Sequence, residues 1–185
     1  MARPPQLKTA FAKLRQESGL TQAQLAKLMA VPPSTLGGLE SGRLKPSREL
    51  ALRAQAALFR EAHPTTAGQV LAALRLVQDE VRYLALAMDE GGLVPATADQ
   101  TWERRLGDCK GKTALLLALL RELGVEARAV LANSFDDALD QRLPSVSAFN
   151  HVFVQAEVDG QTVWLDGTGS GDRTLIAPAP LDYGW

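Results

Sequence analysis

His151-Val152-Phe153-Val154-Gln155-Ala156-Glu157-Val158, then Asp159-Gly160, then Gln161-Thr162-Val163-Trp164-Leu165-Asp166 decides how the second half of this chain folds. Alternating apolar residues on both sides of Asp-Gly predict a β-hairpin with a two-residue turn. That turn sets the register. Val154 falls opposite Leu165 and Ala156 opposite Val163, an apolar face for a core. The other face carries His151, Phe153, Trp164 and Asp166. Phe153 is then opposite Asp166, which makes His151 and Asp166 diagonal neighbours, their Cβ atoms about 7 Å apart. Two such side chains bridge that gap, so turn chemistry alone predicts a carboxylate within reach of an imidazole.

Upstream, Thr113-Ala114-Leu115-Leu116-Leu117-Ala118-Leu119-Leu120 is apolar nearly all round and predicts a buried helix over 110–123, ended by Gly124. A strand over 125–132 and an acidic loop, Asp136-Asp137-Ala138-Leu139-Asp140, follow it. Before it, the pattern predicts a long helix from Ala67 to about Met88, then Gly91-Gly92 and a loop through Pro95. The chain's single cysteine, Cys109, lies in Gly107-Asp108-Cys109-Lys110-Gly111-Lys112, at the first turn of the buried helix. A helix start and neighbouring cations, here Lys110 and Lys112, favour a thiolate nucleophile. His151 is suited to take the thiol proton and return it to a leaving amine, with Asp166 fixing its tautomer. Backbone N–H groups at the helix start suit an oxyanion. Each residue also has a plainer reading: Cys109 as a small buried apolar residue, His151 as structural, and Asp166 as the turn residue of Asp-Gly-Thr.

Gly111-Lys112-Thr113 looks like the end of a phosphate-binding loop, but Leu106 stands where its first glycine belongs, so no nucleotide site is expected. One Cys and two distant His, His63 and His151, give no metal-ligand spacing. Neither a metal nor a cofactor is expected.

The net charge of −1 conceals a division. Residues 1–60 carry four Lys and six Arg against three Glu, a balance of +7, and residues 61–185 carry −8. Such asymmetry suggests a nucleic-acid-facing segment joined to something else. No run approaches the roughly 18 apolar residues of a membrane span, and the start does not lead into a signal-peptide apolar region. A lone cysteine forms no internal disulfide, which suits a reducing cytoplasm. A cytoplasmic protein without membrane association is expected.

In the basic half, Leu7, Ala10, Phe11 and Leu14 follow helical spacing, closed by Ser18-Gly19. Thr21 suits the N-cap of a second helix that buries Leu25, Ala26 and Met29. Val31 makes a turn, a third helix over 33–41 packs through Leu36 and Leu39, and Gly42 ends it. A further helix over 48–60 stops at His63-Pro64. The segment from Gly19-Leu20-Thr21-Gln22 to Gly42-Arg43-Leu44-Lys45-Pro46-Ser47 resembles the Cro/repressor-type (Xre-like) helix-turn-helix family, over roughly residues 7–60. That resemblance implies that Gln22 hydrogen-bonds a DNA phosphate and that the third helix enters the major groove. The positions resembling the family's base readers hold Pro33, Ser34 and Gly38, with Gly37 beside them. Base edges are read by Arg, Lys, Asn or Gln, leaving only Ser34 and Thr35 to reach them. Two mid-helix glycines also cost about 2 kcal/mol relative to alanine. Gln22, Arg43 and Lys45 remain for phosphates of duplex DNA, contacts that position a protein without specifying sequence. The alternative for this bundle is homodimerisation or docking of a partner.

From about Val81 onward the chain resembles the transglutaminase-like superfamily of bacterial proteins. The matching pieces are Val81-Arg82-Tyr83, Arg105-Leu106-Gly107-Asp108-Cys109-Lys110, Gly124-Val125-Glu126-Ala127, Phe149-Asn150-His151-Val152 and Trp164-Leu165-Asp166-Gly167-Thr168. The resemblance implies a papain-related α+β core whose Cys/His/Asp triad falls on Cys109, His151 and Asp166. It implies acyl transfer or hydrolysis at a peptide or protein amide through a thioester. Gly111 stands where the commonest version of the box has an aspartate, and relatives continue into more sheet beyond Trp185, so a shortened core is expected. The expectation is an α+β protein: an all-α helix-turn-helix bundle over 1–62, then a transglutaminase-like core over 63–185 with a buried helix on a small antiparallel sheet. The rival is an Xre-type DNA-binding regulator whose second module senses or associates without turnover.

Overall fold

The turn at Asp159-Gly160 has φ of 51° and 80°, the left-handed pair a two-residue hairpin needs. The computed structural model describes residues 10–85, 94–135, 139, 143 and 145–175. Expectations on Leu7, Met88, Gly91-Gly92, Asp136-Asp137-Ala138 and Asp140 lie outside these residues. The chain divides into two units, Met1–Glu61 and Ala62–Trp185.

In the second unit, β4 (His151–Val158) pairs with β5 (Gln161–Leu165) in the expected register, Val154 opposite Leu165 and Ala156 opposite Val163. β3 (Ala127–Ala132) adds antiparallel to β4, with Ala132 opposite His151, in a sheet of order β3-β4-β5. The helix α7 (Cys109–Leu123) carries buried Leu115, Leu116, Leu119 and Leu120, and Thr113 Oγ1 donates to the Val152 carbonyl at 3.1 Å. This seats the start of α7 beside the start of β4. One hairpin face is apolar, with Val154, Ala156 and Leu165 buried; on the other, beside His151 and Asp166, Phe153 and Trp164 join Ala132 in a small cluster.

The helix expected from Ala67 to about Met88 ends earlier. α5 spans Thr66–Glu80, and Val81 takes an extended conformation. The next residues, β1 (Arg82–Tyr83), pair in parallel with β2 (Leu106–Gly107), so the strand pairing ends the helix. A helix the sequence reading missed, α6 (Ala98–Arg104), opens on a capping box between Thr97 and Gln100 and leads into β2.

The first unit holds α1 (Ala10–Glu17), α2 (Gln22–Leu28) and α3 (Pro33–Glu40), followed by α4 (Arg48–Ala62). Thr21 caps α2 through a reciprocal box with Gln24. Leu25, Met29 and Leu36 are fully buried, with Phe11, Leu20, Leu39, Ala54 and Ala57 completing the core. Gly38 is a packing glycine: a Cβ there would stand 2.6 Å from Leu44 Cδ1.

Candidate active site

Asp108 N-caps α7, its carboxylate accepting the Gly111 N–H at 2.9 Å. Cys109 is therefore the first residue of the helix, and it is 8 % exposed. The two lysines beside it behave differently from the expectation. Lys110 is ion-paired to Asp108. Lys112 turns into the interior, where its Nζ donates to the Val81 carbonyl at 2.6 Å. Burial pushes Lys112 below the usual ammonium range, against the attraction of Asp166 and Asp79.

His151 is the first residue of β4, and Asp166 follows the last residue of β5. His151 Nε2 and Asp166 Oδ2 lie 2.8 Å apart, the diagonal contact the hairpin register predicts. Asp166 Oδ1 accepts the Thr168 N–H at 2.8 Å and its hydroxyl at 2.7 Å. Burial raises Asp166, but the hydrogen bonds from His151 and Thr168 outweigh it and hold the carboxyl below its ordinary range. Burial likewise opposes charge on His151. Hydrogen bonds to Asp166 and to Cys109, with their negative charges, overcome it and raise His151 to about 9. Phe153 stacks below the imidazole at 6.2 Å and leans on Trp164 at 5.6 Å, so the small aromatic cluster floors the ring.

Three features of this neighbourhood were not read from the sequence. Gln78, buried on α5, donates to the Asp166 carbonyl at 2.8 Å and to Asp172 Oδ2 at 2.7 Å, and its Oε1 accepts the Asp172 N–H at 3.3 Å. Its signal was an amide on a stripe otherwise made of Val70, Ala73, Leu74 and Val77. Tyr83 is raised above the usual phenol range by burial and then by the charges of Cys109 and Asp108, so its hydroxyl stays protonated beside the site. Thr101 approaches Gly111 so closely that a Cβ on that glycine would stand 2.8 Å from Thr101 Oγ1. A side chain on Gly111 would require the Thr101 hydroxyl to move. Thr101 Oγ1 itself is buried without a hydrogen-bond partner among the described residues.

A cavity of about 640 Å³ opens beside Cys109 and His151, walled largely by apolar side chains of β3 and of the segment before β4.

In the first unit, Ser34, Arg43 and Lys45 are exposed and Thr35 is half-buried. Gln22 is exposed too, but its amide donates to Glu40 Oε2 at 3.0 Å, and Glu40 also pairs with Arg15. Gly38, at a position resembling a base reader, faces Leu44 instead.

Residues 11–62 match a helix-turn-helix family model, and residues 53–168, more than half of the chain, match that of the transglutaminase-like superfamily. No curated protein matches the chain. Among solved structures, a candidate protease from Parabacteroides distasonis ATCC 8503 is 18% identical with a TM-score of 0.55, over 84% of this chain and 30% of that one. A candidate cysteine protease from Cytophaga hutchinsonii is 21% identical with a TM-score of 0.46, over 71% of this chain and 41% of that one. The periplasmic domain of TgpA from Pseudomonas aeruginosa is 21% identical with a TM-score of 0.44, over 82% and 51%. The chain thus spans between about a third and a half of the length of these structures. The Parabacteroides likeness reflects a shared fold. Among the described residues, no helix is long and apolar enough to cross a membrane.

Proposed function

We propose that this chain, which belongs to the transglutaminase-like superfamily, is a cysteine-dependent amide hydrolase or acyl transferase acting through Cys109, His151 and Asp166. The observation that carries this reading is the 2.8 Å contact of His151 with Asp166, on a ring that lines one cavity together with Cys109. With His151 raised to about 9, a proton on the ring at neutral pH is available to a leaving group. The Cys109 sulfur attacks the amide carbonyl carbon, and the carbonyl π pair moves to oxygen. Backbone N–H groups at the start of α7 face the developing oxyanion. As the tetrahedral intermediate collapses, the C–N bond breaks and His151 protonates the departing amine, leaving a thioester on Cys109. Water, or an acceptor amine, then gives its proton to His151 and displaces the Cys109 sulfur, which returns both groups to their starting state. Asp166 stays ionised throughout and keeps the imidazole oriented.

Peptide or protein amides are the substrate class, in the cytoplasm. The test is release of amine from a panel of N-acyl dipeptide anilides. Wild type is expected to turn over at least one member and Cys109→Ala none; equal rates for the two would remove the enzyme reading.

A second reading concerns the first unit, and the exposure of Ser34, Arg43 and Lys45 within residues 1–60, which carry a balance of +7, favours it. In this reading the unit contacts the phosphates of duplex DNA and brings regulation of transcription within the protein's role.

A further inference from the structure

We infer that the cavity beside Cys109 and His151 is the specificity pocket of this site, and that it selects amides carrying a bulky aliphatic or aromatic side chain next to the reacting carbonyl. The inference rests on the amide-hydrolase reading and names its substrate class. Continuity comes first. Cys109 and His151 are themselves part of the cavity wall, so whatever fills the space lies against the reacting atoms. The rest of the lining includes Leu131, Val146, Ala148 and Phe149. Of these, Leu131 is 55% exposed, Val146 84% and Phe149 36%, so large apolar side chains face water at the nucleophile. Isolated exposed apolar residues are ordinary, but several gathered on one concave wall mark a binding site.

The polar groups of the lining point to the same class, because each described one is already engaged by protein. Lys110 is ion-paired to Asp108. Asn150 accepts from the Ser134 N–H at 2.9 Å and donates to Asn133. Ser145 Oγ is bonded to Ser147 Oγ at 2.8 Å and accepts the Ser147 N–H. A charged or hydrogen-bonding substrate side chain entering here would surrender its water to compete for groups that protein partners already hold. An apolar one gains burial at about 25 cal/mol per Å² on both surfaces.

The experiment uses three alkylating reagents on the full chain: N-benzyl iodoacetamide, N-(2-hydroxyethyl) iodoacetamide and unsubstituted iodoacetamide. Adduct formation on Cys109 is followed by intact mass, and every rate is divided by that of the same reagent with glutathione. Wild type is expected to prefer the benzyl over the hydroxyethyl reagent by about ten-fold or more. Leu131→Asn and Val146→Asn, both at exposed positions, should each reduce that ratio several-fold. A wild-type ratio near one overturns the pocket, as does a high ratio that neither variant lowers. The unsubstituted reagent reports on the Cys109–His151 pair alone. A fast unsubstituted rate with no benzyl preference therefore removes the pocket and leaves the amide-hydrolase reading, whereas a slow rate with every reagent removes the reading beneath it.

Discussion

His151 Nε2 sits 2.8 Å from Asp166 Oδ2 across the diagonal of a hairpin whose register is set by Asp159-Gly160. The same strand start brings the imidazole to one cavity wall with Cys109 at the head of α7. A two-residue turn and one helix cap thus assemble three groups that are 57 residues apart in sequence at the extremes, Cys109 and Asp166.

Breaking that contact changes the titration of His151. Asp166→Asn removes the carboxylate's hydrogen bond and charge, so His151, raised to about 9, should fall back toward its ordinary 6.5 or below it. NMR titration of the His151 ring protons reads this directly. A ring that still titrates near 9 in the variant would show that Asp166 does not set its proton affinity.

Stability should follow the same linkage. A group whose folded value is raised stabilises the fold fully below its unfolded value, and that contribution disappears as pH climbs through the folded one. For His151 the window runs from about 6.5 to about 9. Asp166 has the opposite sign: its lowered value stabilises above 3.8 and is lost as pH falls below it. Urea unfolding of wild type and His151→Gln across pH 6 to 10 should show their difference shrinking as pH rises. A constant difference would contradict the linkage.

Gln78 is a positioning residue for Asp166, and Gln78→Leu should reveal it. The substitution strands the Asp166 carbonyl and the Asp172 carboxylate in a mostly buried site, at a cost of about 1–3 kcal/mol. Lost stability alone would suit a structural role. The distinguishing readout is the His151 titration in the folded variant, which should move down as Asp166 loosens; an unmoved titration confines Gln78 to holding the fold.

The sequence revealed the hairpin, its register, the helix behind Cys109 and the helical core of the first unit, because each rests on local pattern: Asp-Gly alternation, an all-apolar run, and Thr21 before Leu25 and Met29. What it hid depends on distant partners. Helix α5 stops at Glu80 because Arg82 and Tyr83 pair with Leu106 and Gly107, two dozen residues away, and no feature between 67 and 88 announces that pairing. The capping box at Thr97 was legible but went unread. Lys112 looks like a cation for the thiolate in the linear motif, yet helical geometry turns it inward to Val81. Gln78 carried a faint signal, one amide on an apolar stripe, whose meaning needed the Asp166 loop folded against it.

Thr101 and Gly111 make a coupled pair. Thr101→Val removes a buried hydroxyl that has no partner among the described residues and should stabilise the chain by roughly 1 kcal/mol. Gly111→Ala drives a Cβ to 2.8 Å from Thr101 Oγ1 and should destabilise it. Thermal unfolding of both variants checks the signs, and a destabilised Thr101→Val would mean that the hydroxyl has a partner in solution.

For the first unit, anisotropy with a fluorescent DNA duplex should show binding that weakens steeply with salt. Arg43→Ala and Lys45→Ala should each lower the slope of log affinity against log salt by about 0.9, one phosphate contact apiece. Absence of binding at low salt would leave the unit as a docking or dimerisation element.

The rate of iodoacetamide labelling at pH 6.5 reads whether Cys109 is a nucleophile held by His151. Cys109 should react faster than a model thiol under the same conditions, and His151→Ala should slow it by at least several-fold. Labelling no faster than the model thiol, and indifferent to His151, would contradict the account.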